Sequence, residues 1–173
     1  MEADETFIGR DPKRKKAPNA RGGAHKNKVL ALIDRDTRKA RSMVVETLSG
    51  KELGPILRDN IDREARLMTD EAGVYVPLGK EFSSHDFVNH AKGEYGRGEI
   101  HTNTAEGYFS IFKRGMKGVY QHCSKRHLHR YVAEFEFRYN NRKALGIADG
   151  RRATVALRGV VGKRLLYRDS LGA

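Results

Sequence analysis

His101-Thr102-Asn103-Thr104-Ala105-Glu106-Gly107-Tyr108-Phe109-Ser110-Ile111-Phe112-Lys113-Arg114 is the stretch around which the chain is organised. Its opening residues suit a helix start. Phe109, Phe112 and Met116 then recur at spacings of three and four, so one face buries while another stays open. Glu106 falls in the first turn and Lys113 follows seven residues on. At a rise of about 1.5 Å per residue the two lie near one face, about 10 Å apart. A carboxylate and a cation so placed suit a metal holder beside a phosphate contact. A simpler role is also open: with Asn103 as N-cap, Glu106 takes the third helical position, where a capping-box carboxylate belongs.

Counting back from Glu106, thirty-five residues separate it from Asp70, which ends the apolar run Arg66-Leu67-Met68-Thr69. A third acid, Asp4, ends a short run near the N-terminus. Local wording accompanies the spacing: Asp4-Glu5-Thr6-Phe7-Ile8-Gly9, Thr69-Asp70-Glu71, Val88-Asn89-His90 and His101 to Gly107. Asp, Asp, thirty-five residues, Glu, then Lys seven on resembles the DDE transposases and retroviral-type integrases. The wording narrows the resemblance to the ISXO-type branch of bacterial insertion-sequence transposases, over about residues 1–142.

That resemblance implies an α/β, ribonuclease H-like fold: a mixed five-stranded sheet flanked by helices. It implies that Asp4, Asp70 and Glu106 hold two Mg²⁺ or Mn²⁺ ions and that Lys113 steadies the DNA backbone. The implied activity is DNA strand cleavage at transposon ends and strand transfer into target DNA, by a homo-oligomer bridging two ends. Relatives of this kind carry a zinc-ribbon and helix-turn-helix region ahead of the first strand, which this sequence lacks. Two other classes follow from the same residues: a truncated, inactive remnant that only binds DNA, or another ribonuclease H-like nuclease.

The residue types fit the chemistry. Phosphodiester cleavage needs charge stabilised on both the attacking and the leaving oxygen, which two divalent cations about 3.5–4 Å apart supply. Magnesium and manganese prefer oxygen donors, so aspartate and glutamate are the right ligands. Taken singly, each acid has an ordinary role as well: Asp4 at a strand end, Asp70 capping the short helix after it. Glu5 and Glu71 neighbour the acids but point the other way on an extended backbone.

Net charge is +12 and the sequence pI about 10.0, a balance that favours a polyanionic partner. Arg97, Asn103, Lys113, Arg114 and Lys117 gather near the proposed site, and Lys13, Arg14, Lys15 and Lys16 form a basic arm. These are the candidate DNA contacts. Hydrophobic residues make up 38% and charged residues 32%, which fits a globular rather than a disordered chain. No run reaches the roughly 18 apolar residues that a membrane span requires. The acidic start, Met1-Glu2-Ala3-Asp4-Glu5, is unlike a signal peptide, so the expected location is the cytoplasm, associated with the nucleoid. The single cysteine, Cys123, rules out an intrachain disulfide.

Along the chain, residues 2–9 read as a strand, and the basic stretch 10–28, with Pro12, Pro18, Gly22 and Gly23, as a loop. Val29 to Ile33 and Ala40 to Glu46 read as a hairpin whose turn accounts for Asp34 and Asp36. A helix runs from Ser49 toward Asn60, a strand over Arg66–Thr69, a short helix or turn over Glu71–Leu78, and a fifth strand over Asp86–His90. Residues 125–143 form an amphipathic helix with Leu128, Tyr131, Val132, Phe135 and Tyr139 on one face. A basic tail, 143–173, follows the proposed catalytic domain 1–142 and has no assigned structure.

Overall fold

The computed structural model describes residues 1–11, 13–14, 23, 25–89, 93 and 96–163. Five strands, β1 (Glu2–Ile8), β2 (Asn27–Asp34), β3 (Lys39–Val45), β4 (Arg66–Thr69) and β5 (Ser84–Phe87), form one sheet. Helix α1 (Gly50–Asn60) leads into β4, α2 (Tyr75–Gly79) into β5, and α3 (Asn103–Gly115), α4 (Lys125–Asn140) and α5 (Asp149–Arg158) follow. Strand order is β3-β2-β1-β4-β5. The first three strands pair antiparallel, and β4 joins β1, and β5 joins β4, in parallel. This is a mixed α/β sheet consistent with the ribonuclease H-like fold implied by the sequence.

The unbroken apolar run of β2 explains the layering. A strand covered on both faces needs apolar residues at every position. Val29, Ala31 and Ile33 pack under Ala105, Tyr108, Phe109 and Phe112 of α3 and Leu128, Val132 and Phe135 of α4. Leu30 and Leu32 face the other way, onto Leu53 and Leu57 of α1, Tyr75 and Leu78. Each of the valine, leucine, isoleucine and phenylalanine side chains, fully buried, contributes about 1.5–3 kcal/mol. Helices α3 and α4 approach closely at Gly115, where a Cβ would lie 2.2 Å from the Phe135 ring.

The edge strand β3 is closed by side chains rather than by another strand. The Ala40 N–H donates to Asn140 Oδ1 at 2.7 Å, and Asn140 Nδ2 donates to the Ala40 carbonyl at 2.7 Å. One turn earlier on α4, Glu136 accepts the Ser42 N–H at 2.6 Å. Backbone groups that would otherwise template a foreign strand are thereby satisfied.

Several elements depart from the sequence reading. β5 begins two residues early and ends at Phe87, because the parallel register sets Ser84 opposite Arg66 and Phe87 opposite Thr69. His90 lies outside the described residues. α4 ends at Asn140, three residues short of expectation. α3 passes into a π-helical turn at Met116–Tyr120. The start of the tail is helical over Asp149–Arg158, a short amphipathic element with no fully buried residue, and residues 164–173 lie outside the described residues.

Candidate functional site

β1 and β4 share one registered pair, Glu2 opposite Met68. Asp4 and Asp70 each lie two residues beyond that pair, so parallel pairing brings them side by side at the carboxyl end of β4. Glu2 caps α3 from the sheet face that α3 covers, and alternation turns Asp4 toward the same face. Carboxylate oxygens of Asp4, Asp70 and Glu5 all lie within 4.8 Å of one another.

Glu5 was expected to face away. Alternation does turn it to the opposite side, beside Tyr75, yet its carboxylate still joins the group. β4 ends at Thr69, short of the level of Glu5, and the longer glutamate side chain brings an oxygen within 4.8 Å of both aspartates. Sequence alternation gave no sign of this. Neighbouring acids in one strand, beside a partner strand that stops early, are the signal that was missed.

Glu106 reaches the site from α3. Glu106, Ser110 and Lys113 follow at spacings of four and three along one helical face and line a cleft with Asp4, Glu5 and Thr6. Glu106 shares this cleft but is not among the three carboxylates within 4.8 Å of one another. Asp4 and Glu5 therefore belong to both groupings, while Asp70 is grouped through them. Local backbone bonds fix the two aspartates: Asp4 Oδ1 accepts the Glu5 N–H at 2.7 Å, and Asp70 Oδ1 accepts the Ala72 N–H at 3.0 Å.

The start of α3 differs from the capping box read from the sequence. Thr102, not Asn103, is the N-cap and makes no side-chain cap bond. Glu2, fully buried on β1, supplies the cap. Its Oε2 accepts the Ala105 N–H at 2.9 Å and its Oε1 the Thr104 hydroxyl at 2.8 Å. Arg35, from the turn after β2, pairs with Glu2 at 2.5 Å and donates to the carbonyls of Glu99 at 2.5 Å and His101 at 2.6 Å. A carboxylate at a helix N-terminus also meets the positive end of the helix dipole. The strand carrying Asp4 is thus fastened to the helix carrying Glu106.

Burial, and after it the crowding of acids, sets the electrostatics. Burial, and then the charges of Asp70 and Asp4, push the Glu5 carboxyl up from 4.5 to about 8. Burial, followed by the Glu5 charge, holds the Tyr75 phenol far above its ordinary range. Glu5 Oε1 and the Tyr75 hydroxyl are both buried and lie against one another, and neither makes a well-formed hydrogen bond. An unsatisfied carboxylate oxygen among converging hard donors fits a divalent cation of the magnesium or manganese kind.

The basic candidates are spread around this centre. Lys113 also lines a second cavity with Lys26, Lys117 and Gln121, floored by Ile8, Met116 and Leu128. Arg97, Asn103, Arg114 and Lys117 are exposed. Of the basic arm, Lys13 is exposed, whereas Arg14 pairs with Asp11 at 3.5 Å and donates to the Glu46 carbonyl at 3.2 Å. Lys15 and Lys16 lie outside the described residues. The Asp11 N–H donates to the His25 carbonyl at 2.9 Å, and Lys125 bridges Asp11 and Glu46 at 3.0 and 2.5 Å.

Fold and site together are those of an α/β domain with an acidic centre at the carboxyl end of a parallel strand pair. The family model described as the ISXO2-like transposase domain matches residues 1–140, and the chain belongs to that family. It is also similar to an uncharacterized protein in transposable element ISH50 of Halobacterium salinarum, with 26% identity over 151 residues. That match covers 80% of this chain and 51% of the relative, so the chain spans about half the length of the curated relative it matches. Among the described residues no helix is long and apolar enough to cross a membrane.

Proposed function

We propose that this chain is the catalytic domain of an insertion-sequence transposase, which cleaves a phosphodiester at a transposon end and joins the freed 3′-hydroxyl to target DNA. Asp4, Asp70 and Glu106 hold two Mg²⁺ or Mn²⁺ ions. When bound, such a pair supplies positive charge to the attacking and leaving oxygens. Asp4 and Asp70 offer hard oxygen donors from adjoining strands, and the Glu2–Arg35 fastening presents Glu106 from α3. Lys113 meets the DNA backbone beside the scissile phosphate.

The observation that carries this reading is the meeting of Asp4 and Asp70 beyond the Glu2–Met68 pair, with Asp4, Glu106 and Lys113 lining one cleft. Net charge of +12 supports a DNA partner, and Arg97, Asn103, Arg114, Lys117 and the arm at Lys13, Arg14, Lys15 and Lys16 extend the contact surface. A homo-oligomer bridging two DNA ends, acting at the nucleoid in the cytoplasm, belongs to the same reading.

The test is end-labelled donor DNA incubated with the protein and Mn²⁺. The reading requires nicking and joined products that vanish in Asp70→Asn and Glu106→Gln. DNA binding with no cleavage under Mg²⁺ or Mn²⁺ would assign a binding remnant instead. Cleavage of RNA–DNA hybrid without joined products would assign a nuclease of another substrate class.

A further inference from the structure

We propose that Glu5 is a fourth carboxylate ligand of the metal centre, reaching it from the sheet face opposite Glu106, and that the Tyr75 hydroxyl is the donor that orients it. The inference rests on the reading that Asp4 and Asp70 hold the ions. Three observations carry it. Glu5, not Glu106, shares the 4.8 Å grouping with both aspartates. Its Oε1 is buried without a hydrogen-bond partner, a state that is costly for a carboxylate unless something positive or protic meets it. Tyr75 is fully buried and its hydroxyl lies against Glu5 without a well-formed hydrogen bond, with Asp70 and Asp4 the other charges around it.

A buried tyrosine normally finds a partner for its hydroxyl. Here the hydroxyl is a donor waiting beside a carboxylate. With one Glu5 oxygen held by a cation, the Tyr75 phenol would donate to the other and fix the carboxylate's orientation. Partners of that kind fix a ligand's orientation and are worth about 10–100-fold in metal affinity. Asp4 would offer its donor from the face that α3 covers and Glu5 from the face that carries Tyr75. Four carboxylates also hold two dications closer to neutrality than three do.

The experiment is Mn²⁺ binding to the full chain without DNA, by calorimetry and by loss of the free-ion electron paramagnetic resonance signal. Wild type, Glu5→Gln, Tyr75→Phe and Asp70→Asn are compared, each checked by circular dichroism and by its metal-free melting midpoint. Glu5→Gln keeps the side chain's shape. It is expected to weaken Mn²⁺ binding by about tenfold or more while leaving the metal-free midpoint no lower than wild type. Tyr75→Phe, which removes a single hydroxyl, is expected to weaken binding by about tenfold and serves if Glu5→Gln does not fold. Wild-type affinity in Glu5→Gln, or in Tyr75→Phe if that variant must serve, alongside weakened binding in Asp70→Asn, overturns the assignment of Glu5 and spares the metal centre. Wild-type affinity in Asp70→Asn as well overturns both.

Discussion

The Glu2 carboxylate accepts the Ala105 N–H at 2.9 Å, so the strand that bears Asp4 caps the helix that bears Glu106. Strand and helix are 103 residues apart in sequence, and this bond fixes how one presents its acid to the other. Asp4 lies about 6.6 Å further along the strand than Glu2, at about 3.3 Å per residue, and Glu106 directly follows the capped residue.

Breaking this fastening is expected to cost stability first. Glu2 is fully buried, and Arg35 is its ion partner at 2.5 Å. Arg35→Met leaves a buried carboxylate without its cation, a change that costs about 3–5 kcal/mol. Urea denaturation measures it. Glu2→Gln keeps an acceptor for Ala105 and is expected to lose less. A loss in Glu2→Gln as large as that in Arg35→Met would contradict the assignment of the larger cost to an unpaired buried charge.

Stability should fall with rising pH through Glu5. Its carboxyl sits at about 8 in the fold against an ordinary 4.5, so the folded state favours the neutral form. The corresponding stabilisation is complete below about pH 4.5 and is lost as pH rises toward about 8. The linkage slope approaches about 1.4 kcal/mol per pH unit within that window. Denaturant midpoints of the metal-free protein, taken from pH 5 to about pH 8, should drop in wild type and flatten in Glu5→Gln. A parallel drop in both would assign the titration to another group.

Asn140 protects the sheet edge. Its amide serves both the N–H and the carbonyl of Ala40, at 2.7 Å each. Asn140→Ala leaves both backbone groups without a protein partner and is expected to cost about 2 kcal/mol. Light scattering at elevated temperature should also show earlier aggregation, because β3 becomes an open edge. A variant as stable and as soluble as wild type contradicts this account of α4.

Lys113 lines the clefts on both sides of its helix turn, one acidic and one basic. Lys113→Ala is expected to weaken DNA binding similarly across sequences. It should also reduce the slope of log affinity against log salt by about 1. Fluorescence anisotropy at several salt concentrations reads both. An unchanged slope removes Lys113 from the phosphate contacts.

Much of this architecture is legible in the residues. The five-residue apolar run of β2 and the three-and-four spacing of Phe109, Phe112 and Met116 state which elements lie inside. What escaped was set by tertiary pairing. β5 shifted because β4 dictates its register, and Asn103 lost the cap because Glu2 arrives from a distant strand. Glu5 joined the acids because β4 stops beside it. In each case the deciding partner is remote in sequence, so no local pattern reports it. The placement of Asp4 beside Asp70, by contrast, follows from two short strands once their parallel register is known.

The central claim is that Asp4 and Asp70 grip a divalent cation together. Crystals soaked in MnCl₂, with anomalous difference maps collected near the manganese edge, test it most directly. The account predicts anomalous density between the carboxylates of Asp4 and Asp70, extending toward Glu106 and lost in Asp70→Asn. Manganese bound elsewhere on the surface, with no density at this pair, would contradict it.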